Sequence, residues 1–507
     1  MAGDARRQRA RQLLLAVVAC LLALVFGVLT ARAESYVGPH RATLEVDLSR
    51  TVVVDLGPLG AVHLDSPAAP LGVTVTVHEI PASPQADFLE GLGADLAAYT
   101  QLVSHPRAAL TPAIDALVTD ALGRAAVAGG LGLILLTVLR TGDRPLQLTR
   151  RNALALGAVV VTATSLAVLP SLMRPDVLTE RAAVLAGTPF EGVRLSGRLA
   201  DLVNAYGPRV VTAFEENEAF YDGVAAEVSA GFRAAVAAPA PRSGWDLAAP
   251  VDEDALTTVV FVSDLHCNVS MGRVVAALVR VSGADLVANG GDTVMSGTAA
   301  ESFCVNAFAQ EIDVPVVVAD GNHDSVLTAE QEERVGWDVL RGDVVEVAGL
   351  RILGDTDPTL TAVGSGTRLE RDESVHAMGD RLRDVACADG DVDMLLIHNP
   401  RAATATAEAG CARITLSGHL HRTVGPELGE SGTWRYVSSS SGGGNNGGRT
   451  IGTLQSSAEL TVLRFAADGT PVDHAVVMVT PDGAVTVSGW HALTTNQSTP
   501  SVTSTSS

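Results

Sequence analysis

The sequence contains no lysine: all 35 of its basic side chains are arginine. Lysine nucleophiles, Schiff-base lysines and phosphate-loop lysines are therefore excluded. Aromatic residues make up only 4% of the chain, too few for the stacking platforms that hold single-stranded nucleic acid. Positive charge is also scarce. Against 57 acidic residues, the 35 arginines leave a net charge of −22, which argues against nucleic acid as a partner. Cysteine occurs five times. Cys20 lies in an apolar run, and Cys267, Cys304, Cys387 and Cys411 lie in the C-terminal half. Those four are either buried thiols or two disulfides, and three pairings are open to them.

What is abundant is apolar. Hydrophobic residues are 47% of the 507, and the mean hydropathy is +0.27. The length predicts two or three folded units, and the hydropathy points to membrane segments. An arginine cluster, "RRQRARQ", precedes Leu13–Thr30, 18 residues without a charge and close to the minimum that spans a bilayer core. Residues 1–33 thus read as an N-terminal transmembrane anchor, the run being long for a signal peptide. The alternative is a secretory signal cleaved after Ala31-Arg32-Ala33. Two further apolar runs occupy 125–139 and 153–173, so 121–174 reads as a transmembrane helical hairpin. The loop 140–152 between them carries Arg140, Arg144, Arg150 and Arg151 against one Asp. The positive-inside rule places that loop and the N-terminal arginines in the cytoplasm. The expectation is a multi-pass protein of the cell membrane, with the bilayer as partner and everything after Met173 outside. That conclusion holds whether or not the first segment is cleaved.

Outside the membrane runs, residues 34–90 alternate apolar and polar between Pro and Gly breaks, so 34–120 reads as a β-rich extracytoplasmic region. Residues 175–254 are mixed and end in a Pro/Ala linker, with packing and spacing as their expected role. From 255 to 492 strands and helices alternate, an α/β pattern. Helices are expected over 271–281, 299–310, 329–337 and 400–409. Residues 493–507 read as a disordered polar tail.

Within 255–492, five polar clusters each follow an apolar run. "TTVVFV" leads to Ser263-Asp264-Leu265-His266, and "ADLVAN" to Gly290-Gly291-Asp292. "VPVVVA" leads to Gly321-Asn322-His323-Asp324, "DMLLI" to His398-Asn399, and "ARITL" to Ser417-Gly418-His419-Leu420-His421. Ligands of α/β sheets bind where the carboxyl ends of strands converge. Asp264, His266, Asp292, Asn322, His323, His398, His419 and His421 are the converging candidates. Mixed imidazole and carboxylate donors suit Mn, Fe or Zn. They exceed the needs of one ion, so two divalent ions sharing a carboxylate are expected, with Asp292 as the bridge.

The order of these motifs resembles that of the calcineurin-like metallophosphoesterase superfamily. The resemblance covers 255–492, under half of the chain, and implies two packed mixed sheets flanked by helices. It implies that Asp264, His266, Asp292 and His421 hold one metal, and Asp292, Asn322, His398 and His419 the second. His323 and Asn322 would touch the phosphoester substrate, His323 as electrostatic stabiliser or general acid, and Asp324 would orient the His323 ring. Gly321 would permit a sharp turn out of the strand. The reaction implied is hydrolysis of a phosphomono- or phosphodiester by attack of a metal-bound hydroxide. Purple acid phosphatases carry a Tyr three residues after the bridging Asp and a Gly in the first motif. This chain has Met295 and His266 at those positions, so a tyrosinate-bound ferric ion is not expected.

Other residues get plainer readings. Asp355 and Asp357 in "LGDTDP" read as turn residues, His376 as surface or core, and Cys267 as structural. "SSSSGGGNNGGR", 438–449, reads either as a lip whose amides or Arg449 meet substrate, or as a flexible linker. The competing functions are a non-catalytic receptor or scaffold that keeps the fold, and a nuclease. The intact ligand set argues against the first, and the acidic charge with few aromatics against the second. No protein partner follows from the sequence.

Overall fold

The structure, a computed structural model, describes residues 2–37, 40–57, 60–78, 106–141, 179–181, 193–237, 255–298, 301–362, 366–444 and 452–493. The chain divides into two compact units, and among the described residues the divisions fall inside two long helices, between Ala109 and Leu110 and between Ala213 and Phe214.

In the first unit, helix α1 (Ala2–Leu29) is followed by strands β1 (Arg32–Val37), β2 (His40–Asp47), β3 (Thr51–Asp55), β4 (Ala61–Asp65) and β5 (Gly72–Val77). Helix α2 (Pro106–Thr141) comes next, then the short strands β6 (Glu180–Arg181) and β7 (Arg194–Leu195). The seven strands form one sheet in the order β1-β2-β5-β3-β4-β7-β6. The described part of the alternation in 34–90, up to Val77, falls on strands of one sheet; two strands from the region read as mixed join it, and 79–105 lie outside the described residues. The run Leu13–Thr30 falls on α1 and the run 125–139 on α2, whereas 153–173 lies outside the described residues. Among the described residues, no helix is long and apolar enough to cross a membrane, so the expected transmembrane helices find no support there.

Helix α3 (Arg198–Val236) carries the chain into the second unit. One mixed sheet is built on β8 (Thr257–Val262), β9 (Leu286–Asn289), β10 (Val316–Val318) and β11 (Asp338–Val339), all parallel. Helices α4 (Met271–Ser282), α5 (Ser302–Glu311) and α6 (Val326–Arg334) intervene between these strands. The other sheet contains β12 (Val344–Val347) and β13 (Leu350–Gly354). A separate hairpin follows, β14 (Thr359–Ala362) and β15 (Gly366–Leu369), and then helix α7 (Val375–Asp389). Strand β16 (Val392–Leu396), helix α8 (Pro400–Ala409) and strands β17 (Ala412–Ser417), β18 (Val424–Leu428) and β19 (Trp434–Val437) complete that sheet. Strands β20 (Ala458–Phe465), β21 (Pro471–Val479), β22 (Val485–Val487) and β23 (His491–Ala492) return to the first sheet, β20 pairing antiparallel with β8.

Side-chain alternation along β8 explains the layering. Val259 and Phe261 pack with Leu286 and Val317 of their own sheet and with Ile352, Met394 and Ile414 of the other. Val260 and Val262 face the opposite way, into a core shared with Leu278, Phe308, Tyr221 and Phe232 of the helices. A strand buried on both faces reads as a continuous apolar run, as "TTVVFV" does. On the outer face of the second sheet, Leu353, Leu395 and Ile397 meet Met378, Leu382 and Ala402 of α7 and α8. The result is two sheets face to face with helices on both outsides.

Two expectations change here. The core of the second unit draws in residues ahead of 255, because Tyr221, Val224, Val228 and Phe232 bury one face of α3 in it. The serine–glycine stretch is not a free linker over 438–444. Ser441 N donates to Ser263 O, Gly442 N to Asp264 O, and Ser440 Oγ to Asp264 O, so this stretch braces the first motif. Residues 445–449 of that stretch lie outside the described residues.

Candidate metal centre

All five motifs sit where strands end. Asp264 and His266 follow β8, Asp292 follows β9, Asn322 and His323 follow β10, His398 follows β16, and His419 and His421 follow β17. The two sheets therefore contribute to one locus. Backbone bonds tie the loops together: Asp264 N donates to Gly291 O at 2.8 Å, His266 N to Asp292 O at 2.9 Å, and Cys267 N to Thr293 O at 2.8 Å. The disulfide Cys267–Cys304 fastens the first loop to α5, and Cys387–Cys411 links α7 to the start of β17. The structure thus selects one of the three pairings that the sequence left open.

The backbone here is unusual. Eight non-glycine residues among those described have φ in the left-handed region, and six of them are Asp264, His266, Cys267, Asp292, His419 and His421. Each such residue costs on the order of 1–3 kcal/mol and persists only where the surroundings enforce it. Glycines permit the close approach. A Cβ on Gly418 would lie 1.8 Å from Ser263 Oγ, and one on Gly321 would lie 2.2 Å from Asp292 Oδ1. The expected reason for Gly321 is corrected: its φ is not positive, and space rather than turn geometry demands glycine.

Three overlapping groups have ligand atoms within 4.8 Å of one another: Asp264, His266 and His421; His266, Asp292 and His323; and Asp292, His398 and His419. Asp264 Oδ1 lies 3.1 Å from His421 Nε2. Asp292 Oδ2 lies 3.7 Å from His266 Nε2 and 3.2 Å from His398 Nε2, so one oxygen faces both outer groups. Asn322 belongs to the same locus through its neighbour, since His323 N donates to Asp292 Oδ1 at 2.8 Å.

The tautomers are set by backbone carbonyls, which can only accept. His398 Nδ1 donates to Gly290 O and His323 Nδ1 to Met295 O, each at 2.7 Å. That leaves Nε2 of both rings as the working atom. Ser263 Oγ donates to Asp264 Oδ2 at 2.7 Å.

Burial alone would raise Asp292, but the His398 and His323 charges and the His398 hydrogen bond hold it well below the usual carboxylate range. Burial likewise opposes the charge on His398, yet the Asp292 and Asp264 carboxylates push it up to about 10. Burial brings His266 down to about 4 against the pull of the same two carboxylates. Two buried carboxylates thus draw positive charge into the pocket.

A pair of cations fits this set. The donors are imidazole nitrogen and carboxylate oxygen, suited to Mn, Fe or Zn. Asn322 Oδ1 is buried without a hydrogen-bond partner, which an amide oxygen tolerates if it ligates a cation. One expected role does not appear. Asp324 does not bond the His323 ring; its Oδ2 accepts from Thr293 N and Gly321 N, and its Oδ1 from Val294 N. This carboxylate finds backbone N–H groups before it finds the ring, so it fixes the loops rather than the imidazole.

Sequence reasoning passed over two residues. Asp357, read as a turn residue, does cap the turn through Thr359, but its Oδ2 is buried without a partner, and its charge acts on His398 and His419. Glu459, buried on β20, accepts from Thr423, Tyr436, Ser438 and Ser439 and so ties the last histidine loop to the serine stretch. Neither had a neighbouring motif to mark it.

Two facing mixed sheets with buried Asp and His converging at their strand ends define an α/β domain with a candidate metal site. More narrowly, residues 257–423 match the calcineurin-like phosphoesterase family, and this segment is a calcineurin-like metallophosphoesterase domain. Solved structures resemble the chain only remotely. One, of a novel archaeal phosphodiesterase, is 12% identical, covers 41% of this chain and 93% of its own, and has a TM-score of 0.26. Another, the protein TT1561 of Thermus thermophilus, is 9% identical, covers 46% and 99%, and has a TM-score of 0.31. Scores this low carry no argument. No curated protein matches the chain.

Proposed function

We propose that this protein is a membrane-anchored, outward-facing phosphoesterase that hydrolyses phosphomono- or phosphodiesters with two divalent cations. The observation that carries the reading is Asp292 Oδ2 placed between His266 and His398, each with its own cluster of donors. Asp264, His266, Asp292 and His421 would hold one cation, and Asp292, Asn322, His398 and His419 the other. When bound, the pair lowers the pKa of water and neutralises the phosphate oxygens. The remaining work falls to the chain. His323, fixed through Nδ1 by Met295 O, leaves Nε2 as the atom that would meet the substrate, as electrostatic stabiliser or general acid to the leaving oxygen. Asp324 keeps the Asp292 and Asn322 loops in register through three backbone N–H groups. Burial of Asp264 and His398 at 0% exposure keeps bulk water from screening the charges.

The membrane part of the proposal rests on the exposed faces of α1 and α2, although neither helix, over its described residues, is long and apolar enough to cross a bilayer. Leu21, Leu24 and Phe26 of α1 and Ile114, Val118 and Leu122 of α2 are exposed. Between the helices the contact is made by small residues. A Cβ on Gly27 would lie 2.4 Å from Ala121 O and 2.7 Å from Ala125 Cβ, and Gly129 faces Ala23. Small residues inside and aliphatic ones outside suit helices packed in lipid. The two disulfides support an oxidising, extracytoplasmic location for the catalytic unit. The test is a screen of chromogenic mono- and diesters with the purified full chain under several divalent ions. Metal-dependent turnover supports the reading, and no turnover with any ion counts against it.

A further inference from the structure

The hairpin β14–β15 belongs to neither main sheet, yet it is bonded to one metal-ligand candidate at several points. Asn322 Nδ2 donates to Thr361 Oγ1 at 2.8 Å, and Thr361 N donates to Asn322 O. Thr361 Oγ1 also pairs with Thr367 Oγ1 across the hairpin at 2.8 Å, the two residues being register partners. The hairpin is itself held at its base. Asp357 Oδ1 accepts from Thr359 N, Glu370 N donates to Pro358 O, and Arg371 pairs with Asp355 at 2.7 Å.

An amide has two ends and only one of them can ligate a cation. If Asn322 rotated by half a turn about its last bond, its NH2 would point where its oxygen now points, and a cation would meet two N–H groups. Thr361 Oγ1 favours the first of these orientations when its own proton is committed to Thr367 Oγ1. An oxygen that donates its own proton to Thr367 can still accept from Asn322 Nδ2, which leaves Oδ1 buried and without a protein partner. No other side chain hydrogen-bonds the Asn322 amide among the described residues.

We infer that Thr361 is a positioning residue: its hydroxyl orients the Asn322 amide so that Oδ1 serves the second cation. The inference rests on the dinuclear reading proposed above. It makes the hairpin, an element outside the strand-end motifs, part of the second metal position. A side chain that orients a ligand typically changes metal affinity by about 10–100-fold when removed.

The experiment is Mn2+ titration calorimetry on the metal-stripped full chain, comparing the parent with Thr361→Val, Thr361→Ser, Asn322→Ala and Asn322→Ala/Thr361→Val. The expected result is two Mn2+ equivalents in the parent, with one of them weakened about 10-fold or more by Thr361→Val. Thr361→Ser, which keeps the hydroxyl, restores parental affinity. On the Asn322→Ala background, Thr361→Val costs nothing further, because there is no amide left to orient. Parental affinity at both equivalents in Thr361→Val would overturn the inference, as would equal weakening of both or the same loss without Asn322. Thr361→Ala replaces the valine variant if that one does not fold, and loss of the fold in both would overturn the positioning role and leave Thr361 a structural one only. A parent that binds no Mn2+ would instead sink the dinuclear reading, so the two failures are distinct.

Discussion

Asp292 Oδ2 lies 3.2 Å from His398 Nε2, across the seam between the two sheets. Asp292 follows a strand of the first sheet and His398 a strand of the second, so the pair exists only when the sheets have docked. The same oxygen reaches towards His266 on its other side, at 3.7 Å. One carboxylate thereby joins two sets of donors that the sequence keeps far apart.

His323 is expected to act on the substrate rather than on the metals. His323→Ala should lower turnover by roughly 10²–10⁴-fold, the usual contribution of a general acid. Metal content by mass spectrometry should stay near that of the parent. Loss of cations in parallel with activity would move His323 into the ligand set.

The catalytic unit should be isolated with its helix. A fragment from residue 214 retains Tyr221, Val224, Val228 and Phe232, whereas one from residue 245 exposes the surface they cover. Burying a Val or Phe side chain is worth about 1.5–3 kcal/mol, so the shorter fragment should unfold at markedly lower urea. Equal midpoints would show that α3 adds nothing to the fold.

A pH dependence follows from His474, which lies outside the metal cluster. Burial, reinforced by the charge of His491, brings its pKa down from 6.5 to about 4. Above pH 6.5 both folded and unfolded chains hold it neutral. Between 6.5 and about 4 only the unfolded chain takes up the proton, so stability falls as pH falls, by about 1.4 kcal/mol per pH unit. His474→Gln should flatten that acid limb relative to the parent in urea titrations between neutral pH and pH 4.5. Parallel limbs would remove His474 from the account.

The site is readable in the sequence because each donor follows a strand buried on both faces, and such strands leave continuous apolar runs. Asp264, Asp292, His398 and His419 need only that rule and the convergence of strand ends. What the rule misses lies off the strand ends. The resemblance implies that Asp324 orients the His323 ring, but its oxygens are taken by backbone N–H groups. Thr361 carries no motif, since a single hydroxyl on a hairpin looks like any other. Gly and Ser look alike in a linker and in a packed strut, so only the bonds of Ser440 and Gly442 to the Asp264 loop settle the role of 438–444. Helix α3 does show apolar residues at helical spacing. Its place in the core is hidden by the Pro/Ala stretch that follows it.

The dinuclear account is decided by counting metal in the purified full chain and in Asp292→Ala after incubation with Mn2+ and removal of free ion. The account expects two ions per chain in the parent and loss of both in the variant, because the only oxygen facing both donor sets among the described residues is gone. One ion or none in the parent, or two ions kept by Asp292→Ala, would contradict it.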